Sequence, residues 1–225
     1  MRKQLLVVIV CFFSLTTFAN KERWDENKKD WSPLMLAIYN GQTPKFNQLI
    51  ESGVDINYVT PGKNSNWRLT ALEVAIRKDN ETAVNALLKT NRIYKPETFL
   101  MPACGQKSVS NVNHLIKYGA SPCDTLENGY SVLMMAASFG SYEIMETLLK
   151  QGADTKQTRK VDGMTALMLA AFNGQIKKVK LLLNYGADKS ILDKNGHAAL
   201  YHADNIYDRF NVSDEIKKEL KEMLR

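Results

Sequence analysis

Three histidines, His114, His197 and His202, and three cysteines, Cys11, Cys104 and Cys123, are the residues of this chain best suited to chemistry. A metal centre would need two or more of them at a recognisable ligand spacing, and their separations match none. No Gly-rich phosphate loop, Gly-x-Ser-x-Gly elbow or His-Glu-x-x-His stretch occurs. The longest loop-like segment, Asn57 to Leu69, holds no acid, histidine or cysteine to serve as a general base. The chain is therefore read as non-enzymatic, with no metal and no cofactor.

The elements that position these residues follow from an internal repeat. Gly129-Tyr-Ser-Val-Leu-Met-Met-Ala-Ala-Ser-Phe-Gly140 is nearly copied by Gly163-Met-Thr-Ala-Leu-Met-Leu-Ala-Ala-Phe-Asn-Gly174, and Ser131 to Thr165 spans 34 residues. Each copy runs on into a second apolar segment, Leu148-Leu149 then Gly152-Ala153-Asp154, and Leu181-Leu182 then Gly186-Ala187-Asp188. A period near 33 residues with this opening resembles the ankyrin repeat. Physically, Ser or Thr caps a short helix, Ala residues let it lie tight against its neighbours, and Gly at the ninth position after the cap turns the chain left-handed into an antiparallel second helix. One unit cannot bury its apolar face alone, so units must stack. The expectation is an all-α solenoid of about six helix-turn-helix units with finger loops and a C-terminal capping helix.

The N-terminus reads as a secretory signal peptide over residues 1–19. Met1-Arg2-Lys3 is basic, Leu5 to Phe13 is apolar but too short to span a bilayer, and Thr17-Phe18-Ala19 supplies small residues for cleavage after Ala19. Losing Arg2 and Lys3 lowers the formal net charge from +6 to about +4. That charge is dispersed, with no Lys/Arg cluster interleaved with aromatics, so no nucleic-acid partner is expected. A periplasmic or secreted, monomeric protein with no membrane span after cleavage is expected. In an oxidising compartment Cys104 and Cys123 have two readings. Either they form a disulfide, or Cys104 fills a small-residue position that Ala occupies in other units and Cys123 stays free.

After a charged lead-in at 20–30, the units are expected near 31–57, 67–94, 95–123, 129–155, 163–190 and 196–225. Ser32-Pro33 opens the first, with Pro suited to the first helical position. Thr70 opens the second. The third is irregular: its opening is placed at Thr98, and Pro102 then falls inside its first helix, where it is expected to shorten or distort it. Ile216, Leu220, Met223 and Leu224 give the tail from Asp214 to Arg225 a single apolar stripe, as a terminal cap requires.

The resemblance implies a protein partner met by the fingers and the concave face of the first helices. Carried onto matching positions, that gives Trp31, Tyr39, Trp67, Arg77, Lys78, Tyr130, Phe139, Met164, Phe172 and His197 as partner-binding residues. Such aromatic-rich sets dominate binding hot spots. The alternative is that Trp31, Phe139 and Phe172 pack between neighbouring fingers and only stiffen the array. Among exported ankyrin-like proteins the resemblance suggests an immunity or inhibitor protein against a periplasm-acting toxin, a stress-linked scaffold for an envelope enzyme, or a secreted effector binding host proteins.

Overall fold

Four of the repeat openings begin with a hydrogen bond from a helix to its own cap. Ser32 Oγ accepts from Met35 N, Thr70 Oγ1 from Glu73 N, Ser131 Oγ from Met134 N and Thr165 Oγ1 from Met168 N, at 3.2–3.3 Å. Each such cap contributes about 1 kcal/mol. In the two strongest repeats the bond is reciprocated by sulfur, because Ser131 N and Thr165 N donate to the thioethers of Met134 and Met168 at 3.5 and 3.4 Å. Methionine thus takes the part that Glu or Gln plays in a capping box.

The computed structural model describes residues 28–61, 69–93, 99–106, 108–206 and 212–225. The expected signal peptide, Trp24 and Trp67 lie outside these. Twelve α-helices and one short 3-10 turn at Lys28–Asp30, with no strand, make up the described residues. No helix among them is long and apolar enough to cross a membrane.

The chain divides into two units, residues 1–118 and 119–225. The first holds α1 (Pro33–Tyr39), α2 (Thr43–Glu51), α3 (Ala71–Arg77), α4 (Glu81–Lys89), α5 (Leu100–Gly105) and α6 (Val109–Lys117). Here α1, α3 and α5 stack side by side, and α4 packs on α6. The second holds α7 (Val132–Ser138), α8 (Tyr142–Lys150), α9 (Ala166–Phe172), α10 (Ile176–Asn184), α11 (Ala199–Asp204) and α12 (Asp214–Leu224). There α7, α9 and α11 form one row and α8, α10 and α12 the other.

Small residues allow the close rows. Ala37, Ala75, Ala136, Ala170 and Ala203 are fully buried at equivalent places in the first helices. The second helices add the leucine pairs: Leu87, Leu88, Leu148, Leu149, Leu181 and Leu182 are all buried, each contributing about 1.5–3 kcal/mol. In α2, Leu49 and Ile50 are only half-buried and Phe46 carries the contact instead.

Two expectations need correction. The third opening is shifted: α5 starts at Leu100 with Phe99 as an uncapped N-cap, and Thr98 lies outside the described residues. Pro102 is therefore the third helical residue, where a backbone N–H has no intrahelical acceptor, so the proline removes no helix hydrogen bond. In this register Cys104 occupies the place that Ala takes in the other first helices. The second correction concerns the inter-helix turn. Gly41 and Gly174 are left-handed as expected, with φ of 67° and 68°, but Gly140 is not among the positive-φ glycines. It is needed for proximity: a Cβ there would stand 2.7 Å from Ala136 Cα. The turn it makes leaves carbonyls at the end of α7, and Lys178 of α10 takes them. Its buried Nζ donates to Ala136 O, Ala137 O and Gly140 O at 2.8, 3.3 and 2.9 Å. Three acceptors match the three N–H bonds of an ammonium.

Candidate functional site

Between successive helix pairs the chain makes fingers, and four of them close with the same backbone bond. Thr60 N donates to Leu69 O, Leu126 N to Tyr130 O, Arg159 N to Met164 O and Asp193 N to His197 O, at 2.9–3.0 Å. In the second unit the fingers are also joined to each other. Lys160 N donates to Asn128 O and Lys194 N to Asp162 O, both at 2.8 Å. Gly129 and Gly163 permit that approach, since a Cβ on either would lie about 3 Å from the backbone of the next finger.

Side chains then fix each finger internally. In the middle one, Arg159 Nε donates to Asp162 Oδ1 at 2.8 Å and Nη2 to Asp162 Oδ2, while the guanidinium lies 5.7 Å from the Tyr130 ring centroid. In the last one, Asp193 Oδ1 accepts from Asn195 N and His197 N at 2.8 and 2.9 Å, and its Oδ2 lies 3.1 Å from His202 Nε2. A carboxylate can only accept, so Nε2 carries the proton of the neutral ring. Burial would raise the Asp193 carboxyl, but the His197 and Asn195 backbone donors, with His202, outweigh it and hold it below the usual range. Burial dominates at His202 and lowers its pKa despite Asp193 beside it.

The residues predicted to meet a partner separate into three groups. Trp31, Arg77, Tyr130 and Met164 are buried, which corrects their assignment to an open face. The physical reason at Tyr130 and Met164 is that the side chain just before the opening turns into the finger base. Tyr130 OH donates toward Met134 O at 3.3 Å and shares a hydrogen bond with Ser138 Oγ at 3.0 Å, and Met164 Sδ accepts from Arg159 Nη2 at 3.5 Å. Arg77 instead pairs with Glu73 one turn back, Nη2 to Oε1 at 2.8 Å. Burial raises the Glu73 carboxyl against the pull of Arg77.

Tyr39, Phe139, Phe172 and His197 are half-buried, and Lys78 is exposed. In the first unit the Tyr39 ring meets the edge of Trp31 at 5.3 Å and has Lys28 Nζ and Lys78 Nζ at 3.9 and 4.5 Å from its centroid. In the second, Phe172 meets the edge of His202 at 6.5 Å, and His197 stacks on Tyr201 at 3.6 Å with planes 4° apart. Trp67 belongs to the residues not described. Cys104 and Cys123 are free thiols: Cys104 is buried, its pKa pushed up to about 12 by desolvation, and Cys123 is exposed with its thiol donating to Gly152 O at 3.3 Å.

Sequence reasoning named the fingers but missed the apolar residues on them. Of the eight exposed large apolar side chains among the described residues, five stand on fingers: Tyr58, Val59, Leu126, Val161 and Leu192. The exposed apolar area is thus concentrated where the loops project rather than scattered. The available signal was an apolar residue placed just before the finger Gly in a polar loop, as in Leu126-Glu-Asn-Gly and Leu192-Asp-Lys-Asn-Gly. Away from the fingers, a shallow groove of about 380 Å³ between α8 and α10 is lined by Tyr142, Glu143, Lys177, Lys180, Leu181 and Asn184. Lys180 there is already paired with Glu219 at 2.6 Å. No group of three or more His, Cys, Asp or Glu among the described residues could hold a metal ion.

Comparison with known proteins agrees with this geometry. The family model described as "Ankyrin repeats (3 copies)" matches residues 9–97, 72–159, 100–193 and 133–209. A curated relative, the ankyrin repeat and SAM domain-containing protein 6 of Danio rerio, is 34% identical over 134 residues, covering 55% of this chain. The match spans only 17% of that protein's length. Among solved structures, the ankyrin repeat domain of Bcl-3, described as a unique member of the IkappaB protein family, superposes with a TM-score of 0.66 at 23% identity. That match covers 86% of this chain and 84% of the other and bears on the fold alone.

Proposed function

The chain belongs to the ankyrin-repeat family, and from that premise we propose that it is an exported module that holds one protein partner on the fingers and first-helix face of its second unit. The observation that carries this reading is the row of exposed Leu126, Val161 and Leu192 on fingers joined by backbone bonds, together with the half-buried Phe139 and Phe172 and the exposed Tyr201 of the first helices and their ends. Aromatic and apolar residues on a rigid support lose little freedom when a partner covers them, so most of their desolvation appears as affinity. Export rests on the basic, apolar and small-residue segments of residues 1–19. An exported binder of this kind suits the role of an inhibitor or immunity protein, which needs one surface and no catalytic group.

The test is affinity capture from envelope and culture fractions with the full chain tagged at its C-terminus, beside a Phe172→Ala, Tyr201→Ala, Leu192→Ser variant whose thermal transition confirms folding. One stoichiometric partner, lost by the folded variant, supports the reading. Equal capture by both moves the site off this face. N-terminal sequencing of the recovered protein should begin at Asn20, and an intact Met1 would refute export by cleavage. A captured enzyme or toxin that loses activity on addition of the protein identifies an inhibitor.

A further inference from the structure

We infer that the partner segment seated on the fingers of the second unit is acidic as well as apolar, its carboxylates facing Lys160 and Lys194 and its apolar side chains covering Val161 and Leu192. The inference rests on the reading of this face as a binding surface and adds the chemistry of what it binds. The charges of the last two fingers are not balanced at the tips. Each acidic side chain is engaged within the loops: Asp162 by Arg159, Asp193 by His202 and two backbone donors, Asp154 by Lys156 N, and Asp188 by Ser190 N and Oγ. The lysines are not matched in the same way. Lys194 Nζ donates to the Lys160 carbonyl, which leaves its charge uncompensated, and no carboxylate ion-pairs with Lys160 or Lys194 among the described residues.

The backbone that carries both lysines is held in place, Lys160 N donating to Asn128 O and Lys194 N to Asp162 O. The Lys160 stem passes over Gly129, whose missing Cβ would come within 3.0 Å of Lys160 Cγ, and Lys194 N lies 2.9 Å from the Cβ position of Gly163. Beside them Val161 and Leu192 are 42% and 58% exposed. A pair of ammonium groups and two exposed apolar side chains, all carried on fingers joined through their backbones, complements a segment that alternates carboxylate and branched aliphatic residues. Opposed charges of this kind steer encounter and select against basic partners.

The experiment titrates the ¹⁵N-labelled full chain with a synthetic peptide alternating Leu and Glu, and with its Leu/Lys counterpart, at low and at physiological salt. Expected are amide shifts confined to residues 159–163 and 191–196, with the Glu peptide bound about tenfold more tightly than the Lys peptide. Affinity should fall about tenfold in Lys160→Glu/Lys194→Glu and with rising salt. Leu192→Ser should weaken it without changing the salt dependence. The inference is overturned by no shift up to millimolar peptide, by equal binding of the Lys peptide, by an unchanged affinity in the double reversal, or by tighter binding of single-stranded DNA or anionic vesicles at the same amides. The partner captured above separates the two readings. If it is lost by the aromatic variant but kept by the lysine reversal, the face stands and the acidic chemistry falls; if both variants keep it, the face falls too.

Discussion

Lys178 brings an ammonium into the interior of the second unit, and three carbonyls at the end of α7 receive it. Removing the donor while leaving the carbonyls buried is the costly direction, because each unpaired acceptor keeps its desolvation penalty. Lys178→Met should lower unfolding free energy by about 2–4 kcal/mol in urea titration, whereas Lys177→Met, one residue away and exposed, should change it by less than about 0.5 kcal/mol. The two thiols make a second prediction at this scale. Cys123 should react with a maleimide reagent in the native protein and Cys104 only on unfolding, since burial keeps the Cys104 thiol protonated. A single thiol-free species on unfolding without reductant would instead reveal a bridge. Sequence reading weighed both readings of this pair without deciding, because nothing in the spacing of Cys104 and Cys123 shows that α5 starts one residue later than expected.

At the scale of the element, the last finger is a loop held by one carboxylate. Asp193 holds the backbone of Asn195 and His197 with one oxygen and His202 with the other. His202 has a folded pKa below its ordinary 6.5, so the finger's stability is complete above 6.5 and declines as pH falls below it, because the imidazole of the unfolded chain takes a proton that the buried ring resists down to its lower folded value. Asp193, also lowered from 3.8, adds a loss only as pH falls through its own folded value. The groups facing His202 are Asp193, His197, Tyr201 and, at longer range, Asp162. The thermal midpoint should therefore drop between pH 7 and pH 5 in the native chain, and the drop should shrink in His202→Gln, which keeps a donor to Asp193 but cannot titrate; an equal drop in both would assign the acid lability elsewhere. The same element shows how far spacing can be read. His197 was correctly located just before the opening, but its stacking on Tyr201 depends on a finger geometry that no single position encodes.

At the scale of the molecule, the second unit closes with α12, which covers α10 and α11 with Leu220 and Leu224 and adds the ion pairs Lys180–Glu219 and Lys221–Asp204. Ending the chain before Val212 should lower the thermal midpoint by several degrees and increase light scattering on heating, because an uncapped repeat exposes the face its neighbour would bury. The helical repeat itself was legible because its signals are local: a hydroxyl at Ser131 or Thr165, small residues behind it, a leucine pair one helix later. What could not be read is where equal letters do different work. Gly174 is left-handed while Gly140 serves close approach, and Arg77 and Lys78 are neighbours of which one is buried in an ion pair and the other exposed. Tyr130 and Met164 likewise became finger bases, since the direction of a side chain at a loop–helix junction depends on the next loop. The fingers carry one more consequence. They are joined tip to tip through Lys160 N, Asn128 O, Lys194 N and Asp162 O, main-chain atoms present whatever the side chains are. Leu126, Val161 and Leu192 can therefore be exchanged with little cost to the scaffold. A lineage tracking a changing target, or a laboratory library randomised at those three tips, could drift in specificity while the fold stays constant.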